Sequence, residues 1–135
     1  MSVEQMKAGD SATLSVVVQP EHFASGIVEG TPDVLSTPAM GALVEKAAAE
    51  WVAQFQEAGQ MTVGTQLVIN HTGATPEGMT VTATVTLKET DGRRLDFEWE
   101  ASDGQETVGH GTHQRFVLDR SRFEERLAAK RAQNR

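Results

Sequence analysis

The chain has 135 residues, no cysteine and a formal net charge of −7, with 39% hydrophobic and 23% charged residues. That length and balance suit one compact domain over residues 1–135, and the missing cysteine removes disulfides, thiolate nucleophiles and zinc–thiolate sites, so oxygen and nitrogen groups must do any chemistry. The negative charge disfavours nucleic acid as a partner, no apolar run approaches the roughly 18 residues of a membrane span, and the start MSVEQMKAGD lacks the basic and apolar regions of a signal peptide, so the expected location is cytoplasmic.

Ala12, Leu14, Val16 and Val18 alternate with Thr13, Ser15 and Val17, which predicts a first strand ending at Pro20. Residues 21–36 read as a long loop, with Gly26, Gly30, Thr31-Pro32-Asp33 and the aromatic Phe23. Loops of that length in compact domains carry function or contain short helical turns. Thr37-Pro38 then signals a helix start, with Thr as a capping residue and Pro at the first helical position, where no N–H is needed. At about 100° per residue, Met40, Gly41, Val44, Ala48, Trp51, Val52 and Phe55 share one face while Lys46, Glu50 and Glu57 lie opposite, which predicts a packed helix ending near Gly59.

Four strand patterns follow. Odd-numbered residues Met61, Val63, Leu67, Ile69 and His71 are expected on one face of the second strand. Met79, Val81, Ala83, Val85 and Leu87 alternate with Thr80, Thr82, Thr84 and Thr86 in the third, the cleanest period-two signal in the chain. Asp91-Gly92 marks a hairpin turn before Leu95, Phe97 and Trp99, and Asp103-Gly104 marks another before a strand ending at Phe116-Val117-Leu118. One helix and five strands, each strand with a single apolar face, predict an α+β fold in which an antiparallel five-stranded sheet wraps one long central helix. So small a sheet must pair or protect its edges, and a dimer that continues the sheet does so. Residues 119–135 hold six Lys/Arg against three acids, a charge of +3 that leaves −10 on the rest; with Phe123 and Leu127 at i, i+4 they predict a basic terminal helix.

Three side chains stand out against this scheme. Glu45 lies at the margin of the helix's apolar face, where a carboxylate either reaches back to water or works as an acid or base. His71 is expected to point at the helix from the strand end; a lone His there is more often core than catalyst, but a helix Glu converging on it favours an acid/base pair. Thr37 can cap the helix or sit where the helix dipole favours an oxyanion. In Gly109-His110-Gly111-Thr112-His113-Gln114-Arg115 the two histidines fall on opposite strand faces, which argues against a metal site. The glycines there suit close approach of another backbone or a ligand, and Arg115 suits an anion.

Thr37 with Glu45 eight residues on, Gly64-Thr65 followed by His71-Thr72 and Ala74-Thr75-Pro76, Gly92-Arg93-Arg94-Leu95, and Gly111-Thr112-His113 with Arg115 together make the chain resemble the fluoroacetyl-CoA thioesterase-like family of hot-dog-fold thioesterases over roughly residues 10–118. The resemblance implies the hot-dog fold and hydrolysis of a small or medium acyl-CoA thioester, with Thr37, Glu45 and His71 as catalytic residues and Gly64 and Arg115 in the substrate site. It implies no metal and no cofactor beyond coenzyme A as part of the substrate, and a homodimer or a tetramer of paired dimers. Glu45 as base and Glu45 as nucleophile both fit. In the loop before the helix, the family's lid phenylalanines align with Val28 and Thr31, which leaves the acyl group open. The alternative functional reading is a non-catalytic module that binds acyl-CoA or another small hydrophobic ligand; a hydratase-like reading lacks an Asp and His on one helix. The basic tail suits the phosphates of CoA.

Overall fold

The computed structural model describes residues 2–134. In chain order it contains β1 (Ser11–Val17), α1 (Thr37–Ala53), β2 (Gln60–His71), β3 (Thr80–Thr90), β4 (Arg94–Ser102), β5 (Thr107–Asp119) and α2 (Arg120–Gln133), with single 3₁₀ turns at Val3–Gln5, Pro20–His22 and Ala24–Gly26. The five strands form one antiparallel sheet in the order β1-β3-β4-β5-β2, curled around α1. This is the predicted architecture. No helix of the described residues is long and apolar enough to cross a membrane.

The alternation read from the sequence decides the core. Val81, Ala83, Val85 and Leu87 of β3 and Leu95, Phe97, Trp99 and Ala101 of β4 are buried against Met40, Leu43, Val44, Ala47, Ala48 and Val52 of α1. Each such side chain taken from water contributes about 1.5–3 kcal/mol when large, before the entropy of ordering it is subtracted. Gly41 faces β2 from α1: a Cβ there would lie 2.9 Å from Ile69 Cδ1 and 3.0 Å from Leu67 Cδ2. Its small size lets the helix axis approach the edge strand.

Three details differ from the sequence reading. The helix cap is Ser36, whose Oγ accepts from the Ala39 N–H at 3.1 Å, and Thr37 is the first helical residue. The helix ends at Ala53, and a turn through Gly59, at φ +84°, leads into β2. In β2 the pairing with β5 shifts between Gly64 and Gln66, so Thr65 is an extra residue in the ladder. Met61 and Val63 therefore oppose Leu118 and Phe116, whereas Leu67, Ile69 and His71 oppose His113, Gly111 and Gly109. One inserted residue inverts strand parity, so the predicted single face is split: Thr62 and Gly64, not Met61 and Val63, share the helix side with His71. The β5 glycines stand where close approach was expected, at Gly111 to the backbone of β2. A Cβ at Gly109 would collide with Met40 Sδ, and one at Gly111 with the Val68 carbonyl and the Trp99 indole. It is these packed groups of the same chain that keep both positions small.

The long loop is anchored rather than free. Val18 and Leu35 are buried at its ends, Phe23 bridges Leu35, Val34 bridges Pro76, and the Leu35 N–H donates to the Thr75 carbonyl at 2.9 Å. At the far end of the sheet α2 is capped by Asp119, which accepts from the Arg122 N–H at 3.0 Å, and it buries no residue.

Candidate active site

Thr37 and His71 meet at the start of α1. Because Ser36 caps the helix, the Thr37 hydroxyl is released from that role, and Thr37 Oγ1 lies 2.8 Å from His71 Nδ1. His71 is the last residue of β2, and the chain beyond it is held tightly. Thr72 and Gly73 donate to the Val108 carbonyl, and the fully buried Thr75 donates its hydroxyl to Asp103 Oδ2 at 3.4 Å. Asp103 also accepts the N–H groups of Gln105 and Glu106, bonds that together with the Thr75 hydroxyl hold its carboxyl below the ordinary range. Beside the pair, Val34, His71, Thr72, Gly73 and Ala74 line a cavity of about 270 Å³. Another, of about 250 Å³, lies on the opposite flank of α1 against β1 and holds none of these groups.

A second cluster forms two turns along the helix. A Cβ built on Gly64 would lie 2.7 Å from Glu45 Oε1, 3.1 Å from Arg115 Nη1 and 3.1 Å from His113 Cε1, so these three groups converge on the space that the missing side chain leaves. The bulge at Thr65 is what turns Gly64 toward them. Arg115 is buried, donating from Nε to Thr62 Oγ1 at 3.2 Å and from Nη2 to the Thr62 carbonyl at 3.3 Å. Burial pushes its guanidinium below the usual range, with the Glu45 charge acting in the opposite sense. Glu45 and Gly64 themselves are exposed in the single chain, because β2 is a sheet edge.

The site residues read from the sequence thus fall into two groups: Thr37 with His71, and Glu45 with Gly64 and Arg115. Among the described residues no hydrogen bond joins His71 to Glu45, so the expected direct pairing of strand His with helix Glu is not made within one chain. A side chain on Gly64 would enter the space that Glu45 and Arg115 reach. The sequence reading missed His113, which is 2% exposed and touches this cluster. Parity held the signal, since His113 and Arg115 are two residues apart on one strand and must share a face.

The sequence profile described as fluoroacetyl-CoA-specific thioesterase matches residues 18–121. This chain belongs to that family. A fluoroacetyl-CoA thioesterase from Streptantibioticus cattleyicolor is 34% identical over 131 residues, covering 93% of this chain and 94% of that protein. A solved fluoroacetyl-CoA thioesterase structure superposes with a TM-score of 0.88 at 34% identity, over 93% of this chain and 97% of that one. A phenylalanine-to-alanine variant, solved with fluoroacetate and CoA, superposes with a TM-score of 0.80 at 35% identity, over 87% and 99%. A hot-dog-like protein from Thermanaerovibrio acidaminovorans, 21% identical, shares the fold with a TM-score of 0.88 over 94% of each chain.

Two features set this member of the thioesterase family apart or give its motifs a structural meaning. Where the sequence resemblance puts lid phenylalanines, the loop carries Val28, 57% exposed, and Thr31, whose hydroxyl donates to the Val28 carbonyl. Ile27 is exposed beside Val28, while Phe23 packs against the core, so the loop tip is aliphatic. The Gly92-Arg93-Arg94-Leu95 motif builds the β3–β4 hairpin: Gly92 has φ +90°, and Arg94 pairs with Asp96, Asp91 and Glu89 on the surface.

Proposed function

We propose that Thr37, His71 and Glu45 carry the hydrolysis of a small or medium acyl-CoA thioester in a site shaped by Gly64 and Arg115. The chain is a thioester hydrolase of the acyl-CoA class. The observation that carries the residue assignment is the 2.8 Å contact between Thr37 Oγ1 and His71 Nδ1 at the N-terminus of α1. With its proton on Nε2, His71 accepts from the Thr37 hydroxyl and can take that proton as Thr37 Oγ1 attacks the thioester carbonyl, or, where a water bound to Thr37 attacks, as Thr37 receives the proton of that water in exchange. Negative charge developing on the carbonyl oxygen is favoured at the positive end of the helix dipole. Collapse breaks the C–S bond and the CoA thiolate takes the proton from His71; where Thr37 attacked, a water then hydrolyses the acyl-threonine ester to the free acid and restores the Thr37 hydroxyl, and where water attacked, collapse itself releases the acid. Coenzyme A enters only as part of the substrate.

Glu45 stands eight residues along α1 from Thr37, roughly 12 Å in helix rise, too far for both to act on one carbonyl within a single chain. A homodimer resolves this. β2 is a twelve-residue edge strand, and antiparallel pairing with a second copy turns the His71 end of one β2 toward the Gly64 end of the other. The partner's Glu45 would then approach the Thr37–His71 pair as base or nucleophile. The same pairing brings α2, which leaves the sheet beside Gln60, to the partner's His71 end, since Arg120 N–H bonds the Gly59 carbonyl and Gln60 opposes Asp119. Its five described Lys/Arg side chains suit the phosphates of CoA there. The absence of cysteine and an acyl-CoA substrate support a cytoplasmic enzyme.

The aliphatic loop tip supports an acyl group wider than fluoroacetyl. A panel of acyl-CoA esters with thiol detection tests the reading. Release from one or more short or medium esters, lowered on the order of 10² or more in Glu45→Gln and His71→Ala, is the expected result; saturable binding without thiol release would remove the catalytic assignment.

A further inference from the structure

Buried histidines need partners for both ring nitrogens, and those of His113 are specific. Nδ1 lies 2.8 Å from the Gln66 carbonyl, which can only accept, so Nδ1 carries the proton. Nε2 is then an unprotonated acceptor, and it faces Arg115 Nη1, which can only donate, at 3.3 Å. Protonation would set an N–H against an N–H and a second positive charge against the guanidinium. The ring is 2% exposed and stacks on Phe97 at 6.1 Å between centroids. Burial first, and then the Arg115 charge, push the imidazole below its ordinary range, against the opposing effects of the Gln66 bond and Glu45. The charged groups that face it are Glu45 from α1 and Arg115 from its own strand. β2 contributes Thr62, Gly64 and the Gln66 carbonyl and β4 contributes Phe97, none of which titrates in this range.

We infer that His113 is a positioning residue of the substrate site, an Nδ1-protonated acceptor that fixes the Arg115 guanidinium beneath Gly64 and beside Glu45. Three anchors define the plane of that guanidinium: Thr62 Oγ1 on Nε, the Thr62 carbonyl on Nη2 and His113 Nε2 on Nη1. Both Thr62 anchors lie on β2, and among the described residues the His113 bond is the one made by Nη1, the guanidinium nitrogen that faces the Gly64 gap. The bulge at Thr65 supports the device twice, by turning Gly64 inward and by setting the Gln66 carbonyl against Nδ1. This inference rests on the proposed role of the Glu45–Gly64–Arg115 cluster, but its test separates the two.

Wild-type and variant proteins are compared in acyl-CoA thiol release and in ¹⁵N NMR of the His113 ring and the Arg115 side chain. His113→Gln places an amide oxygen near the position of Nε2, whereas the shorter His113→Asn reaches only that of Nδ1. The expected result is that His113→Asn changes kcat and KM in the same proportions as Arg115→Gln, lowering kcat/KM on the order of tenfold or more. His113→Gln restores most of it. In an Arg115→Gln background, His113→Asn should add almost nothing, because the group it positions is already gone. Equal losses in Gln and Asn variants, or additive losses with Arg115→Gln, would overturn the inference. Should neither variant fold, the wild-type spectrum decides: a neutral ring protonated on Nδ1 at pH 7 supports it, and a ring protonated on Nε2 or on both nitrogens overturns it. If Glu45→Gln keeps wild-type turnover, the catalytic reading has failed, while the Nδ1–H tautomer and an Arg115 signal broadened in His113→Asn but sharp in His113→Gln still report on the positioning itself.

Discussion

The Thr37 hydroxyl lies 2.8 Å from His71 Nδ1 because the neighbouring Ser36, not Thr37, satisfies the free N–H groups at the start of α1. Two adjacent hydroxyl residues divide two tasks that one of them could not perform together. Stability and catalysis should therefore separate by mutation at this point.

Thr37→Ala is expected to lower thiol release on the order of 10² while leaving thermal unfolding nearly unchanged, and Thr37→Ser to retain much of the rate. Ser36→Ala should do the reverse, costing about 1 kcal/mol of stability through the lost cap. Parallel rate and melting measurements on the three variants check this. A large loss of stability in Thr37→Ala would return that hydroxyl to a structural role.

Glu45→Gln and His71→Ala are each expected to reduce kcat by on the order of 10² or more, with intact secondary structure by circular dichroism. If both variants turn over at the wild-type rate, neither residue is catalytic.

Gly64→Ala places a methyl group 2.7 Å from Glu45 Oε1. The backbone at Gly64 has no positive φ, so alanine fits the strand and the carboxylate must yield. The expected outcome is a folded protein with kcat lowered on the order of tenfold, about 1.4 kcal/mol of barrier. Unchanged kinetics would show that the position of Glu45 is not limiting.

Stability should fall with acid in two steps. His113 is held below its ordinary value of 6.5, so the unfolded chain binds more protons in that range; its contribution is complete above about pH 6.5 and is lost as pH falls through the folded value. Asp103 is held below 3.8, so its contribution is present above that value and lost as pH falls through the folded one. Denaturant unfolding from pH 8 to pH 3 checks both. His113→Gln should remove the upper step, and Asp103→Asn the lower one, at about 1 kcal/mol for each hydrogen bond lost.

Truncation after Leu118 removes α2, which buries no residue, and should raise KM for acyl-CoA with little change in kcat. Added salt should weaken the same contact in the full chain, as expected for exposed charges on phosphate. An unchanged KM would leave α2 a solvated helix.

Much of the candidate site was legible because its residues sit in strong local patterns. Thr37 precedes Pro38 at a helix start, Glu45 lies at the edge of an apolar stripe, and His71 ends an alternating strand just before Thr75-Pro76. His113 was missed although strand parity puts it on the face of Arg115, because a shared face does not by itself separate a core histidine from one that contacts a buried arginine. The cap was misread by one residue because Ser36 and Thr37 have the same chemistry, and only the backbone turn decides which hydroxyl meets the helix N–H groups.

The sequence by itself determined the elements, their order, the apolar faces and the residue types available for chemistry, because periodicity and turn residues act within a few positions along the chain. The tertiary structure alone decided which of those residues meet. The extra residue at Thr65 reverses strand parity, turns Gly64 toward Glu45, and sets Gln66 against His113 and so His113 against Arg115. A bulge arises from the pairing of β2 with β5, two segments far apart in the chain, and no local pattern in either one specifies where their register must slip.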